Sequence, residues 1–427
     1  MSKIREVAAA AKADSFRMAS LPGEVRDDAL RAIERALRGH RDAILAANAA
    51  DLKDAENADL PEPILKRLKF DDGKIEDAIA GIRDLIGLPD PIGRVLMKRQ
   101  LDEGLVLTQL TCPIGVVGVI FESRPDALVQ IATLCLKSGN CAILKGGSEA
   151  RHTNKALAGA IHEAGIQAGL PVGFLTLLES RADIDELLTC HESIDLIIPR
   201  GSNAFVRYIM DHSDIPVMGH SDGICHVYVD RAADIERAMS IIRDSKVQYA
   251  AACNAVETVV VHADIAERLL PPLRRELEAK GVIMRGAARV TDILTGIEPA
   301  TAEDNTTEYL DFIVSLVMVD SLDEAIDHIN TYGSHHTDCI VTEDEAAAER
   351  FMRLVDSAGV YENCSTRFAD GFRYGLGAEV GISTGKLHAR GPVGLEGLQT
   401  YKYRLRGEGH IVDDYAKGRK TFKFREL

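Results

Sequence analysis

No apolar stretch in this sequence approaches the ~18 residues of a membrane span, and there is no long basic run, no CxxC pair and no GxGxxG. Each absence excludes something. Lys and Arg total 50 against 66 Asp and Glu, a net charge of −16, so the surface repels phosphate backbones and a nucleic-acid role is excluded. The eight cysteines, at 112, 135, 141, 190, 225, 253, 339 and 364, are scattered, which argues against a disulfide framework and against a zinc centre. The start, Met1-Ser-Lys-Ile-Arg-Glu, lacks the apolar core of a secretory signal. A cytoplasmic protein with reduced thiols, bound to no membrane, is expected. Without GxGxxG, any dinucleotide has to be held by other means. What remains is an ordinary globular composition, 46% hydrophobic and 27% charged, over 427 residues, enough for two or three domains.

Residues 1 to 88 are Ala-rich with helical periodicity: Leu30, Ile33, Leu37, Ile44 and Leu45 fall close to one face. Pro89 and Pro91 close this lead-in, in which nothing carries chemistry. Residues 97–112 read as two β segments around Asp102-Glu-Gly104, a hairpin suited to subunit pairing. From Ile114 strands and helices alternate: 115–121, 141–144, 174–178 and 194–198, then a second series at 256–262, 313–319 and 339–341. The expected fold is α/β, two facing parallel sheets with a cleft between them, their ligands beyond the carboxyl ends of the strands.

The tract Val247-Gln-Tyr-Ala-Ala-Ala-Cys253-Asn254-Ala-Val-Glu257-Thr258 sets one thiol among small residues ahead of a buried strand. A substrate carbonyl can approach such a thiol closely, and Asn254 offers amide donors for a developing oxyanion. A buried structural cysteine fits the same tract on its own. Lys145-Gly146-Gly147-Ser148 and Pro199-Arg200-Gly201-Ser202 each end a strand with a cation, glycine and a hydroxyl, and together they suggest a nucleotide site. Ser123-Arg124 beyond strand 115–121 could grip a carboxylate or phosphate, or Arg124 could pair with Glu122. The loop Asn363-Cys-Ser365-Thr366-Arg367 concentrates donors. The stretch 375–395 holds six glycines, with Gly371 just ahead, and reads as an active-site loop. His335 and His336 point in different directions, and a solvated or hydrogen-bonded pair is expected rather than a metal site.

The tracts Gly118-Val-Ile-Phe-Glu-Ser-Arg-Pro125, Ala142-Ile-Leu-Lys-Gly-Gly-Ser148, Ala252-Cys-Asn-Ala-Val-Glu-Thr258, Asn363-Cys-Ser-Thr-Arg-Phe368, Gly377-Ala-Glu-Val-Gly-Ile-Ser-Thr384 and Leu387-His-Ala-Arg-Gly-Pro392 resemble, in order, those of the γ-glutamyl phosphate reductases, within the aldehyde dehydrogenase superfamily. The one departure noted is Cys364, where that family usually has Ala.

The resemblance implies NADPH-dependent reduction of L-glutamate 5-phosphate to the 5-semialdehyde and phosphate, in proline biosynthesis. Cys253 matches the nucleophile; Lys145, Gly146, Gly147, Ser148, Gly201 and Ser202 fall on cofactor turns; Ser123, Arg124, Ser365, Thr366 and Arg367 fall on substrate contacts. It further implies an aldehyde dehydrogenase-like layout: a cofactor-binding domain (1–96 and 113–223), a catalytic domain (224–390) and an oligomerisation ribbon (97–112 and 398–412). A homo-oligomer is expected, with glutamate 5-kinase as an associated protein. Hydrolytic relatives carry a Glu-Leu-Gly-Gly segment whose glutamate activates water. The corresponding Val217–Gly223 has none, which leaves a thioester for hydride or phosphate unless Asp222 or His220 substitutes. A CoA-acylating aldehyde dehydrogenase and a non-catalytic scaffolding relative are the rival readings.

Overall fold

The computed structural model describes residues 2–122, 124–180 and 183–427. Five helices, Lys3–Met18, Gly23–Gly39, Arg41–Asn57, Glu62–Leu68 and Asp72–Gly87, form the lead-in. Their apolar stripe is buried as the periodicity requires: Leu30, Ile33 and Ile44 are fully covered, and Leu45 packs at the edge. That stripe joins the core of the first sheet rather than forming a core of its own.

The first sheet has four parallel strands in the order Leu175–Leu178, Cys141–Lys145, Val116–Phe121, Leu196–Arg200. Its last strand runs two residues further than expected, so Pro199 and Arg200 belong to the strand, and the turn beyond it begins at Gly201. The second sheet has seven strands, all parallel: Glu298–Pro299, Ile283–Gly286, Ile313–Val319, Val256–His262, Cys225–Val229, Thr337–Val341, Gly359–Glu362. Every residue of Val256–His262 is buried, as befits a central strand covered on both faces. Separate clusters fill the two faces of this sheet. Val380, Ala389, Val393 and Leu398 pack in the first core, so the end of the 224–390 segment returns to the first sheet.

The hairpin is Val95–Asp102 with Leu105–Pro113, and the C-terminal ribbon Gln399–Arg406 pairs antiparallel with it from Gln399 opposite Pro113 to Arg406 opposite Val106. Arg425–Glu426 closes the other edge. No helix is long and apolar enough to cross a membrane among the described residues.

One half-buried group makes the second sheet's stability pH-dependent. His328, on the helix Leu322–Tyr332, has a buried Nε2 with no hydrogen-bond partner and sits edge-on to His226, ring centroids 5.6 Å apart. Burial first, then His226, pushes it down from the ordinary 6.5 to about 4. The unfolded chain therefore takes up this proton first as pH falls, so the contribution is intact above 6.5 and is lost between 6.5 and about 4. Thermal melts over that window should decline with falling pH, and His328→Asn should flatten the decline; an unchanged slope would exclude His328 as its cause.

Candidate active site

A cavity of about 1500 Å³ lies between the two sheets. Its walls come from the carboxyl end of the first sheet (Phe121, Glu122, Pro199, Arg200), from the turn Tyr249–Cys253 ahead of the second sheet's central strand, and from the glycine-rich loop (Glu379, Val380, Gly381, Ile382, Val393). The cleft, the nucleophile turn and the loop thus meet where the strand pattern pointed. Cys253 is half-buried and faces the cavity. Its backbone N–H has no acceptor among the described residues.

Two histidines stand beside the thiol. His220, from the segment lacking a glutamate, has Nδ1 2.8 Å from the Ile382 carbonyl, which fixes Nδ1 as the protonated nitrogen and leaves Nε2 as a lone pair. Burial pushes its pKa down, keeping the ring neutral. His336 is fully buried, and one ring nitrogen of each histidine lies within 4.8 Å of the Cys253 sulfur and of the other. Both histidines are hydrogen-bonded, as expected: His335 Nδ1 sits 2.6 Å from Asp356 O and His336 Nδ1 2.9 Å from Thr337 Oγ1, but His336 also stands beside the thiol. Asp222 is engaged elsewhere: its carboxylate takes Arg207 Nη2 at 2.6 Å and the Ser221 hydroxyl at 2.6 Å.

Gly223 lets this segment press against the nucleophile turn. A Cβ there would stand 2.1 Å from the Cys253 carbonyl oxygen and 2.6 Å from its Cα, both backbone atoms that cannot swing aside. Gly223→Ala should therefore displace the thiol and lower kcat about 100-fold or more, with cofactor binding retained. Steady-state kinetics beside a binding titration would check this; kcat within threefold of wild type would contradict it.

Asn254 does not present its side chain to the cavity. The carboxamide is buried, and its Nδ2 donates to Ala369 O at 2.8 Å. The loop that follows Asn363 stands behind the same turn. Ser365 Oγ pairs with Ser245 Oγ at 3.1 Å, the Thr366 hydroxyl donates to Asn254 O at 2.7 Å, and both side chains are buried. Asn254, expected as an oxyanion donor, and Ser365 and Thr366, expected as substrate contacts, are instead buried: local polarity suggested exposed donors, but packing spends them on bracing the turn that carries Cys253. Arg367 differs. Its Nε donates to Gln248 at 2.9 Å and its guanidinium lies over Tyr249, a cavity wall, 5.9 Å from the ring centroid.

Arg124 lines the cavity and pairs with Asp126 at 3.1 Å rather than with Glu122. Ser123 lies outside the described residues. Arg200, noted in its motif but not singled out, also reaches the cavity, where burial first and then Arg124 push its pKa down. An anionic ligand would relieve that penalty. Burial raises the carboxyls of Glu308 and Glu379, which share the cavity.

The two nucleotide-type turns are not equivalent. After Lys145 the helix Arg151–Gln167 has its first N–H groups already taken: Asp51 accepts from His152 N at 2.9 Å and Thr153 N at 2.7 Å. That end is capped from the lead-in, so it is no phosphate cradle, and the lead-in is not chemically idle. Lys145 is buried with Nζ turned back on the Gly146 carbonyl, and Gly146 has no room for a Cβ, which would meet Asn154 Nδ2 at 2.2 Å. Neither Gly146 nor Gly147 lines the cavity, whereas Ser148 does. After Arg200, Gly201 and Ser202 line the cavity, Glu122 takes Ser202 N at 2.9 Å, and the helix Asn203–His212 begins. The N–H groups of 203–205 have no acceptor among the described residues, which leaves an anion site at that helix end.

A family model for the aldehyde dehydrogenase family matches residues 2–304. The chain is 57% identical to a γ-glutamyl phosphate reductase of Ruminiclostridium cellulolyticum, covering 99% of this chain and 98% of that one. It is 58% identical to that of Acetivibrio thermocellus over the same shares. The crystal structure of the Thermotoga maritima γ-glutamyl phosphate reductase superposes with a TM-score of 0.94 at 37% identity, covering 96% of this chain and 100% of that one. With the thiol, the cleft and the helix end in the arrangement described, this chain belongs to the aldehyde dehydrogenase family and, within it, to the γ-glutamyl phosphate reductases.

Proposed function

We propose that the chain reduces L-glutamate 5-phosphate to L-glutamate 5-semialdehyde and inorganic phosphate, with NADPH as reductant and a thioester on Cys253. The observation that carries the chemistry is the thiol facing the cavity with a ring nitrogen of His220 within 4.8 Å of it, while the Ile382 carbonyl holds Nδ1. His220 Nε2 accepts the thiol proton, which an ordinary thiol with a pKa of about 8.5 would otherwise retain at neutral pH. The thiolate sulfur bonds to the acyl carbon, the carbon–oxygen bond to phosphate breaks, and phosphate leaves with the electron pair. The unpaired N–H of Cys253 donates to the oxyanion during this exchange, a role first expected of the Asn254 amide. Arg124, Arg200 and Arg367 are the cations for the substrate's carboxylate and phosphoryl groups.

The residues present fit a dinucleotide. The open helix end at 203–205 with Gly201 and Ser202 would take the pyrophosphate, and Ser148 the far ribose. Lys66, Arg67, Lys74 and Arg151 line the same cavity, and Leu68 and Ala55 pack on Ala150 beside Ser148, which supports NADPH over NADH through the 2′-phosphate. When bound, the nicotinamide supplies the hydride that converts the thioester to aldehyde. The glutamate that activates water in hydrolytic relatives has no counterpart at 217–221, which leaves the thioester for hydride or phosphate.

The ribbon sheet supports a homo-oligomer. Its edge strand Gln399–Arg406 is paired on one side only and exposes Tyr401, Tyr403 and Leu405. A labile acyl phosphate suits a cytoplasmic enzyme working beside glutamate 5-kinase. The test is the reverse assay: semialdehyde with NADP or NAD, with and without phosphate. Strict phosphate dependence and faster reduction of NADP are expected. Turnover with CoA in place of phosphate would overturn the substrate assignment.

A further inference from the structure

His336 has no part in the reaction above, yet it is fully buried beside the nucleophile with its Nε2 unpartnered. Burying an imidazole with an unused nitrogen costs stability. Its Nδ1 lies 2.9 Å from Thr337 Oγ1 and 3.7 Å from Cys225 Sγ, and its ring meets His220 edge-on, centroids 4.9 Å apart. His220, His336 and the Cys253 sulfur present ligand atoms within 4.8 Å of one another.

We propose that Cys253, His220 and His336 form an inhibitory site for a soft divalent cation, Zn²⁺ foremost, which holds the nucleophile as a metal thiolate and blocks its acylation. A thiolate and two imidazoles select zinc over magnesium or calcium, which need oxygen ligands. Tetrahedral bond lengths of about 2.3 Å to sulfur and 2.0–2.1 Å to nitrogen place ligand atoms roughly 3.4–3.6 Å apart. The three atoms need close by only about 1.2 Å from the widest spacing the structure allows. The Ile382 carbonyl already fixes one imidazole as an outer partner does in zinc sites, holding Nδ1–H and turning Nε2 to the metal. The fourth position faces the cavity and takes water. On binding, the Cys253 S–H bond breaks, its proton passes to solvent, and a sulfur–metal bond forms, with no change in oxidation state.

The proposal rests on the preceding reading only for its effect on turnover, so binding and activity are measured separately on the full chain. Titration with Cd²⁺, substrate absent, should give a thiolate-to-metal charge-transfer band that saturates at one ion per chain. Cys253→Ser should abolish it. His336→Gln, which leaves the thiol and His220 in place, should weaken Cd²⁺ at least as much as the loss of an outer partner does, about 10–100-fold. The same variant should keep NADPH oxidation within a few-fold of wild type and lose sensitivity to Zn²⁺, whose inhibition should be competitive with glutamyl phosphate and reversed by chelator. Because a buried substitution can impair folding, the wild-type titration stands as the independent test. Absence of the band in folded wild type, or equal Cd²⁺ affinity in folded His336→Gln, would overturn the site. A band with no reduction of glutamyl phosphate would overturn the activity and leave the site standing.

Discussion

Cys253→Ala lowers glutamyl phosphate reduction by at least about 10⁴-fold while NADPH still binds, the scale expected when a covalent nucleophile is removed. The reason is that no other group can take over. Cys225 and Cys339, the other thiols of this region, are buried, and burial pushes both far from ionisation. Cys364 is half-buried, also raised, and absent from the cavity wall. Stability should change little, because the bonds holding the turn run through backbone and neighbours: Cys225 Sγ to Cys253 O at 3.3 Å, Thr366 Oγ1 to Asn254 O and Asn254 Nδ2 to Ala369 O. Stopped-flow NADPH oxidation beside a fluorescence binding titration would decide it; activity within tenfold of wild type would remove Cys253 from the mechanism.

The largest stability effect is expected at Lys246→Met. Lys246, at the end of the helix Ile235–Val247, pairs with Glu257, at the start of the strand Val256–His262, Nζ to Oε2 at 2.6 Å, with neither side chain exposed. The pair brackets Cys253, seven residues before it and four after, so it closes the base of the nucleophile turn. Burial pushes Glu257 up to about 7 and Lys246 down, although each partner opposes the other's shift. Such a pair adds little net stability against apolar residues, but losing one member leaves a polar or charged group stranded, at about 3–5 kcal/mol. Lys246→Met should thus lower the apparent Tm by several degrees and reduce kcat by loosening the turn. Lys246→Met with Glu257→Leu should recover most of the stability, since no stranded charge remains. If the single variant melts within one degree of wild type, the pair is not structural.

Several parts of this architecture were legible in the chain. Strands 116–121, 141–145, 256–262 and 313–319 announced themselves as apolar runs of strand length, and the Asp102-Glu-Gly104 turn fixed the hairpin. Four strands of the second sheet did not. Cys225–Val229 carries a histidine, Ile283–Gly286 is short with an exposed first residue, and Glu298–Pro299 and Gly359–Glu362 are edge strands. None has the apolar contrast that periodicity needs. Glycines and donors in 375–395 correctly pointed to a cavity-lining loop, although Val380, Ala389 and Val393 also anchor it in the first core.

The sequence by itself determined that one thiol stands among small residues ahead of a buried strand, that 217–221 lacks a carboxylate, and the strand ends on which cofactor turns would sit. Those follow from residue type and local pattern. Tertiary structure alone decided which polar groups meet. It set His220 and His336 against Cys253, turned Asn254, Ser365 and Thr366 inward as braces, and used Asp51 to cap one helix so that only the other offers free N–H groups. The physical reason is that a hydroxyl, amide or imidazole has the same local signature whether it faces a ligand or a buried carbonyl. Only the packing of segments far apart in sequence tells these partners apart.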